Sequence, residues 1–260
     1  MQRYGGLGIG MRLFISVPSY KWVESEFIHC LFSLVNSPNS HTRSLAFLGG
    51  DSLIPRVRNH IACEFLRTDH THLLMIDSDI IFTGENVDRM EEHEEAGVVA
   101  GFYAKRHQDQ TVWVANHFKK NEQPDERGLV KVETIGTGFM MIARYVFERM
   151  RDEGLAERYV IDGTDTVEYN FFPLKVTNGK YRSEDWAFCD NCHALGIEVY
   201  GDTRCVLRHK GTAMYPLPSV QTLERLYKAV DALERKGVKI PEELRDALDG
   251  PTQEPDASDK

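Results

Sequence analysis

Apolar residues fall in short unbroken runs along this chain, with polar and periodic stretches between them. Residues 12–20 ("RLFISVPSY"), 73–82 ("LLMIDSDIIF"), 96–103 ("AGVVAGFY") and 134–143 ("TIGTGFMMIA") each read as a buried strand, the first stopped by Pro18. Residues 197–209 ("IEVYGDTRCVLRH") add one or two short strands. The runs do not alternate apolar with polar, so the strands are expected to be covered on both faces. Helical spacing appears between them. Ile54, Val57, Ile61 and Phe65 share one face of a helix over residues 54–66. Residues 144–154 predict a helix ending at Gly154. Residues 183–196 predict another, with Ser183 as N-cap and Gly196 as C-cap. Strands alternating with helices predict an α/β fold with a mostly parallel central sheet flanked by helices.

Three stretches lie outside this alternation. Residues 114–132, including "KKNEQPDERG", are polar and punctuated and predict a loop or hairpin tip. Residues 219–237 predict an amphipathic helix, and a shorter one follows over residues 241–248, so that 219–249 form a C-terminal helical extension. Residues 1–11 read as a flexible leader and residues 250–260 as a disordered tail. The sequence carries no internal repeat.

Composition narrows the class. A chain of 260 residues with 42% apolar and 27% charged residues can bury a sizeable core. Its net charge of −9 argues against a broad electrostatic grip on nucleic acid, although a local basic patch is compatible with it. No apolar run reaches the roughly 18–20 residues that cross a bilayer, so stable membrane insertion is not expected. The N-terminus has no apolar segment of the secretory kind. The five scattered cysteines then read as reduced thiols in a cytoplasmic protein.

Two carboxylates stand inside the most apolar stretch. Asp77 and Asp79 follow five residues, "HLLMI", that are enough to cross a sheet, and in extended backbone they would face one side. Ligands of open α/β sheets bind just beyond the carboxyl ends of the strands. Two acids there suit a hard divalent cation, Mg²⁺ or Mn²⁺. The alternative is that one Asp caps a turn and the other pairs with an Arg. Arg56, Arg58, Lys105, Arg106 and Lys210 are candidate phosphate partners. Arg56 and Arg58 are two apart on one helix, so they cannot both face the site, and Arg58 is preferred. Glu184 and Asp185 open their helix, where acids either complement the helix dipole or serve chemistry.

Asp77-Ser78-Asp79 after a hydrophobic strand resembles the DxD motif of the GT-A-fold glycosyltransferases, whose fold is that of nucleotide-diphospho-sugar transferases. Other segments resemble that family, especially its bacterial and phage-type members, in the same order. "FISVPSY" resembles the first strand, whose end holds the base, and so implies Val17, Pro18 and Tyr20 near base and ribose. "IPRVRNHIACEFL" resembles the Arg-bearing helix and implies Arg58 near the diphosphate. "VVAGFYAKR" resembles the strand and loop after the DxD and brings Lys105. "IGTGFMMIARYVFERM" resembles the strand and helix on the acceptor side. "SEDWAFCDNCHALG" resembles the acidic helix, and "RHKG" resembles the late His segment. The resemblance spans residues 12–211 within a domain of residues 12–218. It implies a metal-dependent hexosyltransferase. Mn²⁺ or Mg²⁺ would be bound by Asp77, Asp79 and His209, with Ser78 and Lys210 close to the donor. The donor would be a nucleotide-sugar, a UDP-sugar first. Asp185, or else Glu184, would act as base toward an acceptor hydroxyl of a glycan, a protein or hydroxymethylated DNA. Inversion or retention at the anomeric carbon stays open. Two other classes stay open as well: a nucleotidyltransferase-like enzyme, and a non-catalytic nucleotide-sugar or glycan-binding module.

Other signals read more simply. "CDNCH" (residues 189–193) matches a haem-attachment or half-zinc spacing, but lies inside a helix where packing explains it. "GGLGIG" lacks the preceding strand of a dinucleotide fingerprint. "EEHEEAG" (residues 91–97) predicts a solvated helix end. His70 and His72 read as loop polarity before a strand. Trp113, Trp186 and Tyr103 are core candidates that could also stack on a sugar or base, Trp186 above all, since it adjoins the acidic pair.

Overall fold

The computed structural model describes residues 10–19, 23, 25–37, 41–105, 115–118, 123–211, 214–216 and 235. The expectations for residues 1–9, Tyr20, Arg106, Trp113, the helical extension and the tail fall outside these residues, Arg235 excepted.

In chain order the elements are β1 (Arg12–Ser19), α1 (Ser25–Val35), β2 (Thr42–Gly49), α2 (Ile54–Arg67), β3 (His72–Ile76), β4 (Ile80–Ile81), α3 (Gly84–Glu91) and β5 (Val98–Phe102). Next come β6 (Ala115–Phe118), β7 (Leu129–Ile135), β8 (Phe139–Ala143), α4 (Arg144–Asp152), β9 (Glu157–Val160) and β10 (Val167–Asn170). The last are β11 (Lys175–Thr177), β12 (Lys180–Arg182), α5 (Glu184–Ala194), β13 (Val199–Val206), β14 (Arg208–Lys210) and β15 (Met214–Pro216).

Eight strands form the central sheet in the order β2-β1-β3-β8-β5-β13-β7-β6. β1 pairs in parallel with β2 and β3, and β5 with β13, whereas β7 and β8 run against their neighbours. The sheet is therefore mostly parallel in strand direction but mixed in pairing. Short strands β4, β14 and β15 form a second small sheet.

The strands are buried on both faces, as their lack of alternation requires. Leu73 and Met75 of β3 enter the core built with Val57, Ile61 and Phe65 of α2, Phe147 of α4 and Phe188 of α5. Leu74 and Ile76 enter the opposite core, with Phe27, Cys30 and Leu34 of α1 and Val87 and Met90 of α3. Phe147 sits at the centre of the first core, edge-on to Phe65 and Phe171, and Phe172 stacks on Phe188 at 4.7 Å.

Several expectations are corrected. The apolar run over residues 73–82 is two strands, because Ile80 N–H closes a turn onto Asp77 O at 3.0 Å. Asp77 and Asp79 therefore flank a turn instead of lying in extended backbone. Residues 114–132 hold arms of a hairpin, β6 and the start of β7, with a turn at residues 126–128. α1, β2 and the hairpins β9–β10 and β11–β12 carry no clear periodicity and were not expected. Glu91 and His93 are buried, not solvated. Glu91 receives Arg43 of β2, and His93 Nε2 lies 2.8 Å from Asp202 Oδ2 of β13. His72 is buried too, its Nε2 donating to Glu94 O at 3.0 Å.

Candidate functional site

Chain direction picks out one crevice. From β1 the chain crosses to β2 on one side of the sheet, and from β3 it moves on to β5 on the other. The reversal lies between β1 and β3, where open α/β sheets leave a ligand crevice beyond their carboxyl ends. Asp77 is the first residue past β3. Its N–H donates to Gly138 O at 2.9 Å, which joins it to the turn before β8.

Arg58 reaches Asp77 from α2. The guanidinium is almost fully buried, and its Nη2 donates to Asp77 Oδ2 at 3.0 Å. Its Nε stands 3.6 Å from Glu184 Oε1 at the start of α5. Burial works against the Arg58 charge, but Asp77 and Glu184 outweigh it and hold its pKa above the usual value. Arg56 points elsewhere, into an exposed pair with Asp51. Glu184 is pushed up, first by burial and then by the neighbouring Asp185 charge, with Arg58 pulling the other way. Asp185 Oδ1 already accepts the Ser183 hydroxyl and the Trp186 N–H. Ser183 thus stands at the N-cap, yet its side chain serves Asp185 instead of the helix end. Trp186 is half-buried, with the Arg182 guanidinium over its ring at 4.8 Å.

Asp79 belongs to a second group. Antiparallel pairing of β4 with β14 sets His209 opposite Ile80, and Lys210 N–H donates to Asp79 O at 2.8 Å. His209 Nε2 then stands 3.5 Å from Asp79 Oδ2. His209 Nδ1 faces Ala104 O at 2.8 Å, and because a carbonyl can only accept, Nδ1 carries a proton. In the neutral ring Nε2 therefore turns a lone pair toward the carboxylate. A protonated ring would instead donate to it.

Tyr103 links the two groups. Its ring lies edge-on to His209 with centroids 5.4 Å apart, and its Oη accepts the Gly138 N–H at 2.9 Å. Burial, reinforced by the Asp77 charge, raises the phenol well above its usual range, so it stays neutral. Tyr103, expected as a core residue that could also stack on a ligand, is buried in the α1-side core, and its position just past β5 brings its hydroxyl to the turn beside Asp77.

The remaining candidates scatter. Val17 and Pro18 are buried within β1, Val17 in the α1-side core. Ser78 is half-buried in the turn between the two acids. Lys105 is exposed, and Lys210 Nζ is paired with Glu26 Oε2 at 2.6 Å. Cys189 and Cys192 are buried in the α2-side core and Cys205 in the other. Among the described residues no group of three His, Cys, Asp or Glu side chains stands close enough together to hold a metal ion. Asp77 is drawn to Arg58 while Asp79 faces His209.

No protein-family model matches the sequence. No curated protein matches it either. In fold the chain is similar to A197 from STIV. The crystal structure of that protein superposes with a TM-score of 0.50 at 16% identity, over 80% of this chain and 95% of that one. At this identity the likeness speaks for the fold alone: an α/β domain with a large, mostly parallel sheet flanked by helices. Among the described residues, no helix is long and apolar enough to cross a membrane.

Proposed function

We propose that the protein is a GT-A-type, metal-dependent glycosyltransferase that moves a sugar from a nucleotide-sugar, a UDP-sugar first, to an acceptor hydroxyl. The observation that supports this reading is Asp77 just past β3 at the switch point between β1 and β3, bridged by Arg58 to Glu184, with the Asp79–His209 pair on the turn and strand beside it. Two carboxylates and an imidazole are donor types that Mg²⁺ or Mn²⁺ accepts, but among the described residues they are not gathered into one group, so binding would need Asp79 and His209 to close on Asp77. Asp77 Oδ1 is buried and accepts no hydrogen bond from the described residues. His209 has its Nδ1 proton fixed on Ala104 O, the usual arrangement behind a ligating imidazole. Asp77, Asp79 and His209 would hold the ion, which when bound supplies positive charge against a diphosphate leaving group.

The chain's own groups do the rest. Arg58 holds Asp77 in place and spreads its charge between Asp77 and Glu184, so it acts as a fixed cation beside the diphosphate site and not as a mobile phosphate ligand. Glu184 is favoured over Asp185 as the group that takes the acceptor's proton, because burial raises its affinity for one, whereas Asp185 Oδ1 already accepts the Ser183 hydroxyl and the Trp186 N–H. Val17 and Pro18 are buried within β1 and would support the nucleotide site from inside the sheet without lining it. The acceptor remains a glycan, a protein or a hydroxymethylated DNA base, with the chain's acidity weighing against DNA.

The test is thermal stability with UDP, GDP, CDP and ADP, each with and without Mn²⁺. A ligand that binds only the native state raises Tm with the logarithm of its concentration over Kd. One diphosphate should raise Tm in a metal-dependent way, and Asp79→Ala should lose that rise while keeping the metal-free Tm. Loss of sugar transfer in the same variant should follow. A metal-dependent rise of full size in Asp79→Ala would defeat the assignment.

A further inference from the structure

Three chain segments meet at one end of the central sheet. Asp77 follows β3, Tyr103 follows β5, and Gly138 precedes β8, which lies between those strands and runs against both. Gly138 joins the other two: its carbonyl accepts the Asp77 N–H at 2.9 Å, and its N–H donates to Tyr103 Oη at 2.9 Å. A β-carbon on Gly138 would lie 2.6 Å from Tyr103 Oη and 3.2 Å from Asp77 Oδ2, so phenol and carboxylate share one small space. The Tyr103 hydroxyl is thereby used as an acceptor. Among the described residues nothing accepts its proton, although the side chain is almost fully buried. A buried donor left without an acceptor is costly, and such an atom calls for a partner.

On the reading proposed above, this donor lies beside the path of the transferred sugar. The diphosphate is at Asp77, the base is Glu184, and the sugar's anomeric carbon has to pass from one to the other. Arg58 spans that interval, with Nη2 3.0 Å from Asp77 and Nε 3.6 Å from Glu184, so the width of one guanidinium separates the two ends. The charges of Asp77, Arg58 and Asp185 all reach Tyr103, which sets it on the same wall. Charge also selects the kind of group the phenol meets. Asp77, Asp79 and Asp185 against Arg58 leave the wall net negative, and Lys210 is already paired with Glu26. These carboxylates would repel an anionic oxygen at Tyr103. A sugar hydroxyl is neutral, accepts the phenol's proton and offers its own to a carboxylate.

We propose that Tyr103 is a specificity-determining residue for the sugar, its hydroxyl donating to one hydroxyl of the transferred sugar while Gly138 N–H holds the phenol oxygen in place. The inference rests on the glycosyltransferase reading and adds to it a residue that reads the sugar, not the nucleotide or the metal. The Gly138 N–H fixes Oη, and the ring lies edge-on to His209 at 5.4 Å, so the donor is oriented before the sugar arrives. A fixed, buried donor favours a sugar that carries a hydroxyl at that point. It rejects one that lacks the hydroxyl, because the phenol is then left unpaired.

The experiment compares the full chain with Tyr103→Phe, which keeps the ring and removes the proton. The probes are UDP, UDP-glucose, UDP-galactose and UDP-N-acetylglucosamine with Mn²⁺, or GDP and GDP-mannose where GDP is the diphosphate that raises Tm. Tyr103→Phe should bind the preferred nucleotide-sugar about tenfold more weakly, and the bare diphosphate within about twofold of the parent. The diphosphate is thus the control for a site that stays folded. A second measurement uses the parent alone, with analogues of the preferred nucleotide-sugar that lack one sugar hydroxyl each. At least one analogue should bind about tenfold more weakly than the complete nucleotide-sugar. Equal losses for diphosphate and nucleotide-sugar in Tyr103→Phe, or no loss for either, would overturn the proposal and leave the glycosyltransferase reading standing. A parent that binds every such analogue as tightly as the complete nucleotide-sugar would overturn it as well. A parent whose Tm no diphosphate raises would remove the glycosyltransferase reading, and this inference with it.

Discussion

Gly138 is where the site is packed most tightly, and replacing it with alanine probes both fold and function. A β-carbon there would lie 2.6 Å from Tyr103 Oη, 2.8 Å from Tyr103 Cζ and 3.2 Å from Asp77 Oδ2. The first two approaches are closer than van der Waals contact allows, and Tyr103 is buried with no free direction to retreat. Moving the phenol breaks the 2.9 Å bond from Gly138 N–H. Overpacking a tight site costs about 1–3 kcal/mol, and a buried amide left unpaired costs about 1–3 more. Gly138→Ala should therefore lose about 2–6 kcal/mol in urea unfolding. The same methyl presses on Asp77 Oδ2, and a misplacement of about 1 Å at a reacting centre can cost roughly a hundredfold in rate. The double variant Gly138→Ala with Tyr103→Phe removes the hydroxyl that clashes and should recover part of the stability. Unfolding of Gly138→Ala within about 0.5 kcal/mol of the parent would refute the packing argument, since surface substitutions fall in that range.

Arg144 caps the end of α2 from the start of α4, donating to Phe65 O, Leu66 O, Thr68 O and His70 O at 3.1, 3.2, 2.7 and 2.7 Å. Arg144→Met should cost about 2 kcal/mol in chemical denaturation, chiefly through carbonyls left without a cationic donor, and Arg144→Lys should recover only a part. Glu184 has a folded-state pKa raised by burial and Asp185. Its contribution to stability is thus full below the unfolded carboxyl pKa and is lost as pH rises through the folded one. Glu184→Gln should gain stability relative to the parent from pH 5 to pH 8 in urea unfolding; a constant or falling difference over that range would be the wrong sign.

What the sequence reveals follows from how local each cause is. Strand β3 and helix α2 are legible because burial on two faces, or on one, writes itself into consecutive residues. α1 is not, since "SEFIHCLFSLV" is apolar on both sides and has no contrast to read. β7 hides among polar residues because Lys131 and Glu133 face outward from an otherwise buried strand. Glu91 and His93 look like solvated charges until Arg43 and Asp202 arrive from 48 and 109 residues away. The candidate site shows both sides of this rule. The residue types and their place past β3 are local, but the turn at Asp77 and the partner each acid takes are set by α2, β14 and α5.

Arg58 shows what that non-local setting does. A buried guanidinium is costly unless carboxylates face it, and two do, Asp77 and Glu184, from different elements. Asp77 is thereby half-neutralised before any ligand arrives, with one oxygen spoken for and the other buried and open. On the proposed function, a divalent ion at Asp77 would compete with Arg58 for the same carboxylate, and the guanidinium would recover at Glu184 part of the attraction lost there. Charge placed at one end of the crevice is in this way felt at the other, through one side chain held in the wall between them.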